Sequence, residues 1–274
     1  MPDATAILLV DNGSLQPAAT LSLRRIARAL SEHVGLIIDP VSLLHSSGID
    51  PADLEGRPAE ILEPAIRRRH AAGIERFVLI PLFFGPSAAL TTYIPERIRA
   101  LEATLEGLEV RLAAPLADGD AGIAALAGIL VDHVREVLSD TGAERPWVVL
   151  VDHGSPQRAV AEVRDRTAAR MAEELGDEVS SVVAASMERR EGPEFAFNEP
   201  LLGRALERLD GAGVVALMFF SPGRHAGPDG DIEEICAQAQ RDRPELRIHF
   251  TRLVGEHPGV VALLAERLRN VLER

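Results

Sequence analysis

Two histidines and one glutamate in the second half of the chain have side chains suited to chemistry. His153, Glu188 and His225 each follow a predicted buried strand. Because ligands bind beyond the carboxyl ends of parallel strands, we expect the three side chains to meet at one sheet edge, with both imidazoles close enough to bind one ion. Two imidazoles and a carboxylate suit Co²⁺, Ni²⁺, Fe²⁺ or Zn²⁺, and a neutral imidazole also accepts protons near neutral pH.

Each of these residues also has a structural interpretation. The Asp-His-Gly-Ser sequence around His153 could form a turn, with Ser155 capping the next helix. Glu188 lies in the polar run 187–191, which is typical of a solvated face. His225 is the strongest single candidate, because glycines flank its loop and leave it few apolar neighbours.

The loop that carries His225 follows the most apolar run of the chain. Residues 214–220 are all apolar and predict a strand buried on both faces. Pro222 and Gly223 end this strand, and Asp231 is expected to cap a helix that begins near Ile232.

Strand-like and helix-like segments alternate along the chain, which predicts parallel sheets with right-handed crossovers. The predicted strands are 6–10, a run within 36–44, 77–84, 109–113, 147–151, 180–186, 214–220 and 247–253. The predicted helices are 17–33, 59–72, 93–105, 123–138 and 260–272.

The second half of the sequence repeats the first. Val-Asp-Asn-Gly-Ser at 10–14 is answered by Val-Asp-His-Gly-Ser at 151–155, and Phe83-Phe84 by Phe219-Phe220. Residues 139–146 have the composition of a linker. We therefore predict two tandem Rossmann-like domains, residues 1–143 and 144–274, each a parallel sheet flanked by helices.

The two copies differ where the chemistry is expected. Asn12 occupies the position of His153, Ala88-Ala89 occupy those of Arg224-His225, and His45 falls near the place of Glu188. The second half is therefore predicted to carry the site, and the first half to have lost its equivalent.

Composition excludes several classes of partner. A net charge of −13 and a pI near 5.1 argue against nucleic acid or an anionic membrane as the partner. The single cysteine, Cys236, excludes an internal disulfide and an iron–sulfur cluster ligated by several thiolates of one chain. No dinucleotide or P-loop glycine motif is present, so no nucleotide cofactor is expected. Without a leader-like or bilayer-length apolar run, we expect a soluble cytoplasmic protein.

The motifs at 151–155, 221–225 and 253–258 resemble those of the CbiX/SirB family of class II tetrapyrrole chelatases. The resemblance covers essentially the whole chain as two copies of the family unit. It implies two Rossmann-like domains that face a cleft, and ATP-independent insertion of Co²⁺ or Fe²⁺ into sirohydrochlorin for cobalamin or siroheme synthesis. By position, it also implies that His153 and His225 bind the metal, with Glu188 as their acidic partner.

The expected substrate explains why cations should lie near the site. Sirohydrochlorin is rimmed with carboxylates, and an acidic chain must seat these on local arginines, which pair with carboxylates in a bidentate manner. We expect Arg189, Arg190 and Arg224, together with Ser155, to bind the substrate, and the divalent metal (Co²⁺, Fe²⁺ or Ni²⁺) to be a second substrate.

Three functions fit the sequence. The first is a sirohydrochlorin chelatase, a lyase that forms nitrogen–metal bonds and works from the second half. The second is a metal or tetrapyrrole carrier of the same fold without turnover, and the third is a structural or regulatory paralogue. The altered first half is the sequence feature that supports the third.

Overall fold

The computed structural model describes residues 5–273, which form two compact units of alternating strands and helices. The strands are β1 (Thr5–Asp11), β2 (Ile38–Ser42), β3 (Arg76–Pro81), β4 (Glu109–Leu112), β5 (Trp147–Asp152), β6 (Ser181–Ser186), β7 (Ala212–Leu217) and β8 (Arg247–Phe250). The helices are α1 (Pro17–Val34), α2 (Leu62–Ala71), α3 (Ile94–Glu102), α4 (Gly119–Thr141), α5 (Arg158–Leu175), α6 (Leu202–Leu206), α7 (Asp231–Asp242) and α8 (Gly259–Leu272).

The first unit is built on a four-stranded parallel sheet in the order β2-β1-β3-β4. Leu8 in the centre of β1 aligns with Asp39 of β2 on one side and with Leu79 of β3 on the other. Leu8 and Leu79 are fully buried, as expected for strands of a parallel sheet covered on both faces. Helices α2 and α3 pack on one face of this sheet through apolar side chains such as Ile66 and Ile94.

The second unit repeats this architecture with a four-stranded parallel sheet in the order β6-β5-β7-β8. Leu150 in β5 aligns with Ala184 of β6 and with Ala216 of β7. Every residue of β5 is buried. The predicted fold class, tandem Rossmann-like units with parallel sheets, is therefore confirmed.

The compact units do not divide the chain at one point. The first comprises residues up to Asp118 and from Val261 onward, and the second comprises Gly119 to Val260. Helix α4 packs against α5 and β7, and so belongs with the second sheet. The terminal helix belongs with the first, where the guanidinium of Arg267 donates to the carbonyl oxygens of Pro115 and Leu116 at 3.0 and 2.9 Å. The expected division at 143/144 follows the sequence repeat, whereas the compact units follow packing.

The third strand of each sheet is shorter than predicted. The strand predicted over 77–84 ends at Pro81, and the strand predicted over 214–220 ends at Leu217. The N–H of Leu217 donates to the hydroxyl of Thr251 at 2.9 Å, so a side chain replaces the neighbouring strand as its acceptor. The apolar residues beyond each strand end belong to the loops that follow.

The helix predicted over 93–105 also has a different start. It begins as a π-helical turn over Ala89–Tyr93 and continues as the α-helix α3 from Ile94. Pro95 has no N–H, so the α-helical hydrogen-bond pattern is interrupted where the two segments join.

A buried histidine in the second unit contacts a second, partly buried one. His133 of α4 is fully buried, and its ring meets that of His257 edge-on with centroids 5.1 Å apart. Within the described part of the chain, neither ring nitrogen of His133 has a hydrogen-bond partner. Burial, with the charges of His257 and Arg252, lowers the pKa of His133 to about 4, against the opposing charges of Glu136 and Asp132.

This histidine predicts acid sensitivity. Because the pKa is near 6.5 in the unfolded chain and about 4 in the folded one, the unfolded chain binds the proton more tightly. Stability should therefore fall as the pH drops from 6.5 towards 4, by up to about 1.4 kcal/mol per pH unit. We expect His133→Leu, which removes the buried base at similar volume, to flatten this dependence in urea unfolding measured at pH 7 and pH 5.

The exposed His33 of α1 provides the matched control, and His33→Gln should retain the wild-type dependence. A His133→Leu protein that loses as much stability at pH 5 as the wild type would contradict this assignment.

Candidate functional site

His153 and His225 meet in the second unit. His153 directly follows β5, and His225 lies in the loop after the adjacent strand β7. Their ring centroids are 4.6 Å apart, with the planes at 75°. The structure therefore brings together the two imidazoles that the sequence placed at one sheet edge.

A close backbone approach positions His153 and Glu188. Gly154 has φ +93°, and a Cβ at that position would lie 1.9 Å from the carbonyl oxygen of Glu188. Only glycine fits there, because any other side chain would collide with the backbone and require an unfavourable φ. The N–H of Glu188 also donates to the carbonyl of His153 at 3.2 Å. The loops after β5 and β6 are thus joined at the residues that carry the candidate chemistry.

The first unit uses the same backbone geometry with other side chains. A Cβ on Gly13 would lie 1.8 Å from the carbonyl oxygen of Leu44, and the N–H of Leu44 donates to the carbonyl of Asn12. The structural equivalent of Glu188 is therefore Leu44, and His45 lies one residue beyond it. The connection from Gly13 to Leu44 spans 44 − 13 = 31 positions and that from Gly154 to Glu188 spans 188 − 154 = 34, so this equivalence is difficult to see in the sequence.

The surroundings of His153 indicate which ring nitrogen is available. Its Nδ1 lies 3.1 Å from the carbonyl oxygen of Gly154, which can only accept, so Nδ1 carries the proton in this contact. Its Nε2 then presents a lone pair and lies 3.5 Å from Oε1 of Glu188. Glu188 is 61% exposed and so remains accessible to a ligand.

His225 has a carboxylate partner that the sequence analysis missed. Oδ2 of Asp231 lies 2.6 Å from Nδ1 of His225, so the carboxylate accepts the Nδ1 proton and leaves Nε2 open. The expectation that Asp231 caps a helix was wrong, because Gly230 occupies the N-cap position and Asp231 is the first helical residue. Because Gly230 can itself cap the helix, the neighbouring Asp231 was free for another role. That pairing of glycine and aspartate is the sequence signal for a partner of His225.

The loop between these two residues folds back on itself. The N–H groups of Asp231 and Ile232 donate to the carbonyls of Arg224 and His225, each at 3.1 Å. A Cβ on Gly230 would lie 3.0 Å from the carbonyl oxygen of His225, so glycine permits this approach. The backbone therefore presents Asp231 to His225.

A buried polar network supports the loop of His153. Arg164 of α5 is 1% exposed and donates to the Ser186 hydroxyl at the end of β6. That hydroxyl donates to Oδ1 of Asp152 at 2.6 Å. Oδ1 of Asn198 accepts from the N–H of Ser155 at 3.0 Å, and its amide donates back to the Ser155 carbonyl. The ends of β5 and β6 are thereby held together beneath the two histidines.

The aspartate at the end of the first strand has an arginine beside it in the second unit but not in the first. Burial raises the pKa of Asp152, and the nearby Arg164 guanidinium, with Nη1 3.6 Å from the carboxylate, opposes that shift. In the first unit Leu23 of α1 occupies the place of Arg164, and burial raises the pKa of Asp11 to about 6. The arginine is therefore particular to the copy that has the two histidines.

The residues expected to bind the substrate have different surroundings. The hydroxyl of Ser155 accepts from the N–H of Gln157 at 3.1 Å, within the turn before α5. Arg189 donates to Glu199 at 2.7 Å and to two carbonyls of its own loop. Arg190 is exposed, and Arg224 is 79% exposed with its Nε 3.9 Å from Asp231.

The arrangement offers two ring nitrogens with lone pairs, each ring beside a carboxylate. Such a pair can bind a borderline metal ion or accept protons. Over residues 5–273, no set of three or more His, Cys, Asp or Glu side chains is already arranged to hold a metal ion.

Sequence comparison identifies the family. A sequence model described as CbiX matches residues 6–134 and again residues 147–271. The chain belongs to the CbiX family. The two matches fall within the two halves of the sequence repeat, residues 1–143 and 144–274, so the repeated segment is the CbiX unit itself.

Solved structures show the same fold at low sequence identity. "SirB from Bacillus subtilis with Fe3+" has a TM-score of 0.68 at 18% identity, with 97% of this chain and 95% of that chain covered. SirB from Bacillus subtilis subspecies spizizenii in complex with cobalt has a TM-score of 0.69 at 18% identity, with coverage of 98% and 95%. A structure of CbiX, described as the terminal enzyme for biosynthesis of siroheme in denitrifying bacteria, has a TM-score of 0.66 at 15% identity. The match covers 97% of this chain and 98% of that chain.

Two further findings concern this CbiX-family chain. No curated protein sequence matches it. None of its helices between residues 5 and 273 is both long and apolar enough to cross a membrane.

The buried network generates a prediction about stability. Arg164→Leu copies the residue that the first unit has, but leaves Asp152 buried without its cation. We expect the free energy of unfolding to fall by about 3–5 kcal/mol, as for other broken buried pairs. Adding Asp152→Asn should restore part of the loss, because the remaining amide can still accept from Ser186.

The measurement is denaturant unfolding of the two variants beside Arg166→Gln, which removes an exposed arginine on the same helix. Arg166 pairs with Asp120 at the surface, so its loss should change stability by less than about 1 kcal/mol. Equal stabilities of Arg164→Leu and Arg166→Gln would contradict the network's role.

Proposed function

We propose that this chain inserts a divalent metal ion into sirohydrochlorin or a closely related tetrapyrrole, with His153 and His225 as the metal-binding and proton-accepting residues. The observation that carries the proposal is the contact of the two rings, 4.6 Å between centroids, with each Nδ1 engaged and each Nε2 open. Membership of the CbiX family supports it, as do the SirB structures described with Fe3+ and with cobalt.

The open Nε2 atoms can serve both parts of the reaction. Insertion of M²⁺ displaces two pyrrole N–H protons, so the reaction needs a metal donor and two proton acceptors. When the ion passes from the imidazoles to the macrocycle, both Nε2 lone pairs become free to accept these protons. Two protons leave the substrate as one dication enters, so the charge of the macrocycle does not change. The step as written uses no nucleotide.

The carboxylates beside the rings assist these steps. Asp231, 2.6 Å from Nδ1 of His225, orients that ring for the metal and stabilises the imidazolium that forms after transfer. Glu188, 3.5 Å from Nε2 of His153, supplies an oxygen ligand to the ion before transfer. A partial protein ligand set suits this role, because catalytic metal sites keep positions open for the substrate.

The exposed arginines fit a carboxylate-rimmed substrate. Arg190 and Arg224 extend from the loops that carry Glu188 and His225, and their guanidinium groups can pair with substrate carboxylates. Arg189 is held by Glu199 and acts by fixing its loop. The second half of the chain, residues 144–274, therefore carries the chelatase site in this proposal.

The histidine variants test the proposal directly. We expect His153→Ala and His225→Ala each to lower the rate of Co²⁺ insertion into sirohydrochlorin by at least about 100-fold, because each removes a metal ligand and a proton acceptor. Absorbance of the macrocycle follows the reaction, and Fe²⁺ and Ni²⁺ can be compared in the same assay. His70→Gln, in the first unit, should retain the wild-type rate.

Unchanged rates in both alanine variants would defeat the proposal. Stoichiometric binding of metal or tetrapyrrole by the wild type, without acceleration over the uncatalysed reaction, would instead favour the carrier function.

Asp231 gives a second prediction at the level of binding. Carboxylates that orient a ligating histidine typically contribute 10–100-fold to metal affinity, and we expect Asp231→Asn to weaken Co²⁺ binding by roughly that factor. Competition titration against a chromogenic chelator measures the Kd. Asp229→Asn, two residues earlier on the same loop, is the matched control. The backbone N–H of Asp229 donates to Glu233, and Asp231 is the residue that contacts His225. Equal affinities in the two variants would exclude a role for Asp231 in positioning His225.

A further inference from the structure

A large cavity of about 860 Å³ lies in the first unit, beside the edge strand β2. Helix α1, strand β2, the segment 57–61 and helix α2 form its walls. Five arginines line it, although the chain as a whole has a net charge of −13. They are Arg24, Arg28, Arg57, Arg68 and Arg69.

Two of these arginines are fixed in place by the protein. Arg24 donates to the carbonyl oxygens of Leu54 at 2.8 Å and of Arg57 at 2.6 Å. Arg69 bridges the carboxylates of Asp39 at 2.7 Å and Glu60 at 2.9 Å. Their guanidinium groups therefore form a preorganised wall.

Positive charge in the cavity exceeds what the protein neutralises. Asp39 and Glu60 are the acidic residues among the lining residues, and Glu60 also receives Arg68 at 2.7 Å. Arg28 and Arg57 are exposed, and neither guanidinium forms a hydrogen bond or ion pair with any residue that the structure describes. Burial lowers the pKa of Arg24, and the charge of Arg57 lowers it further.

Most of the remaining lining is apolar. Leu23, Ala27, Val41 and Ile61 contribute to the walls between the arginines. A ligand that satisfies both parts carries anionic groups on a compact carbon or phosphate skeleton. Guanidinium groups recognise carboxylates and phosphates through paired hydrogen bonds.

The second unit shows that the fold does not require Arg24, Arg28 or Arg69. With Gly13 aligned to Gly154, residues 24 and 28 of α1 correspond to Asp165 and Ala169 of α5. The isolated bridges of Ile61 to Ser42 and of Leu201 to Ser186 align Arg69 with Leu209. The same architecture therefore forms without the basic cavity, and its charge has another cause.

We infer that this cavity is a second ligand site, which binds a small polyanion with at least two carboxylate or phosphate groups. Arg24 and Arg69 provide positive charge at fixed positions, and the N–H groups of Arg28 and Arg57 donate to the ligand. The residues of the site are distinct from His153 and His225. The inference therefore does not depend on the chelatase proposal.

Citrate and pyrophosphate are suitable probes, since they separate carboxylate from phosphate recognition. We expect metal-free protein at low salt to bind at least one of them saturably, with a Kd at or below about 1 mM in isothermal titration calorimetry. Arg28→Gln with Arg57→Gln should weaken that binding at least about tenfold, because each loses charge-assisted hydrogen bonds. Arg24 and Arg69 are left intact, because they hold the cavity together.

Arg67→Gln is the matched control, because Arg67 lies on α2 beside Arg68 but pairs with Glu63 outside the cavity. It should bind the probes as the wild type does. The inference is overturned if neither probe saturates the protein, if the double variant binds as tightly as the wild type, or if Arg67→Gln weakens binding equally. The preferred probe identifies the anionic group that the site recognises.

Discussion

The buried guanidinium of Arg164 is the interaction on which the candidate site depends. A fully desolvated cation is costly unless its donors are satisfied, and Arg164 meets Ser186, the Phe197 carbonyl and the carboxylate of Asp165. Through Ser186 it also reaches Asp152, the last residue of β5. Any displacement of these strand ends would leave charges unpaired in the interior, so the loop that carries His153 has little freedom to move.

The duplication separates what the fold needs from what the site needs. Both units place a glycine against a backbone carbonyl at the end of the first strand, at Gly13 and at Gly154, where a side chain would collide. That constraint belongs to the fold. In the first unit Ser46 accepts from the N–H of Ser14, whereas the second unit uses Asn198. Arg164 and Asn198 occur in the unit that also has the two imidazoles, so this part of the network is not required by the fold alone.

Sequence reasoning succeeded where one rule of backbone geometry decides the result. Alternating apolar runs predict parallel sheets, and parallel strands bring their carboxyl ends to one edge, so His153 and His225 were expected together despite their separation in the chain. The lengths of β3 and β7 were overestimated, because apolar side chains continue into the loops beyond Pro81 and Leu217. Hydrophobicity reports burial, and buried loop residues have the same signal as strand residues.

The residues that escaped prediction act through side-chain pairing. Asp231 was interpreted as a helix cap, since an aspartate at a helix start satisfies that role equally well in sequence. Arg164 lies among several surface arginines of α5, and only the fold shows that it points inward. The arginines of the first-unit cavity come from two helices and a loop, so no local pattern connects them. Such assemblies depend on helix rotation and rotamers, which a single sequence does not specify.

Because the protein is strongly acidic, an anionic ligand must be recognised by arginines in direct contact with it, not by the overall charge. A net charge of −13 repels anions at long range, but at physiological ionic strength salt screens this repulsion over about 8 Å. Recognition of a carboxylate or phosphate then depends on donors in direct contact, held where water is partly excluded. Arg24 and Arg69 of the first-unit cavity are held in this way, whereas Arg190 and Arg224 beside the histidines are exposed and need a bound substrate to exclude water from them. After duplication, the same sheet architecture could therefore support a metal-directed loop in one copy and an anion-directed cavity in the other.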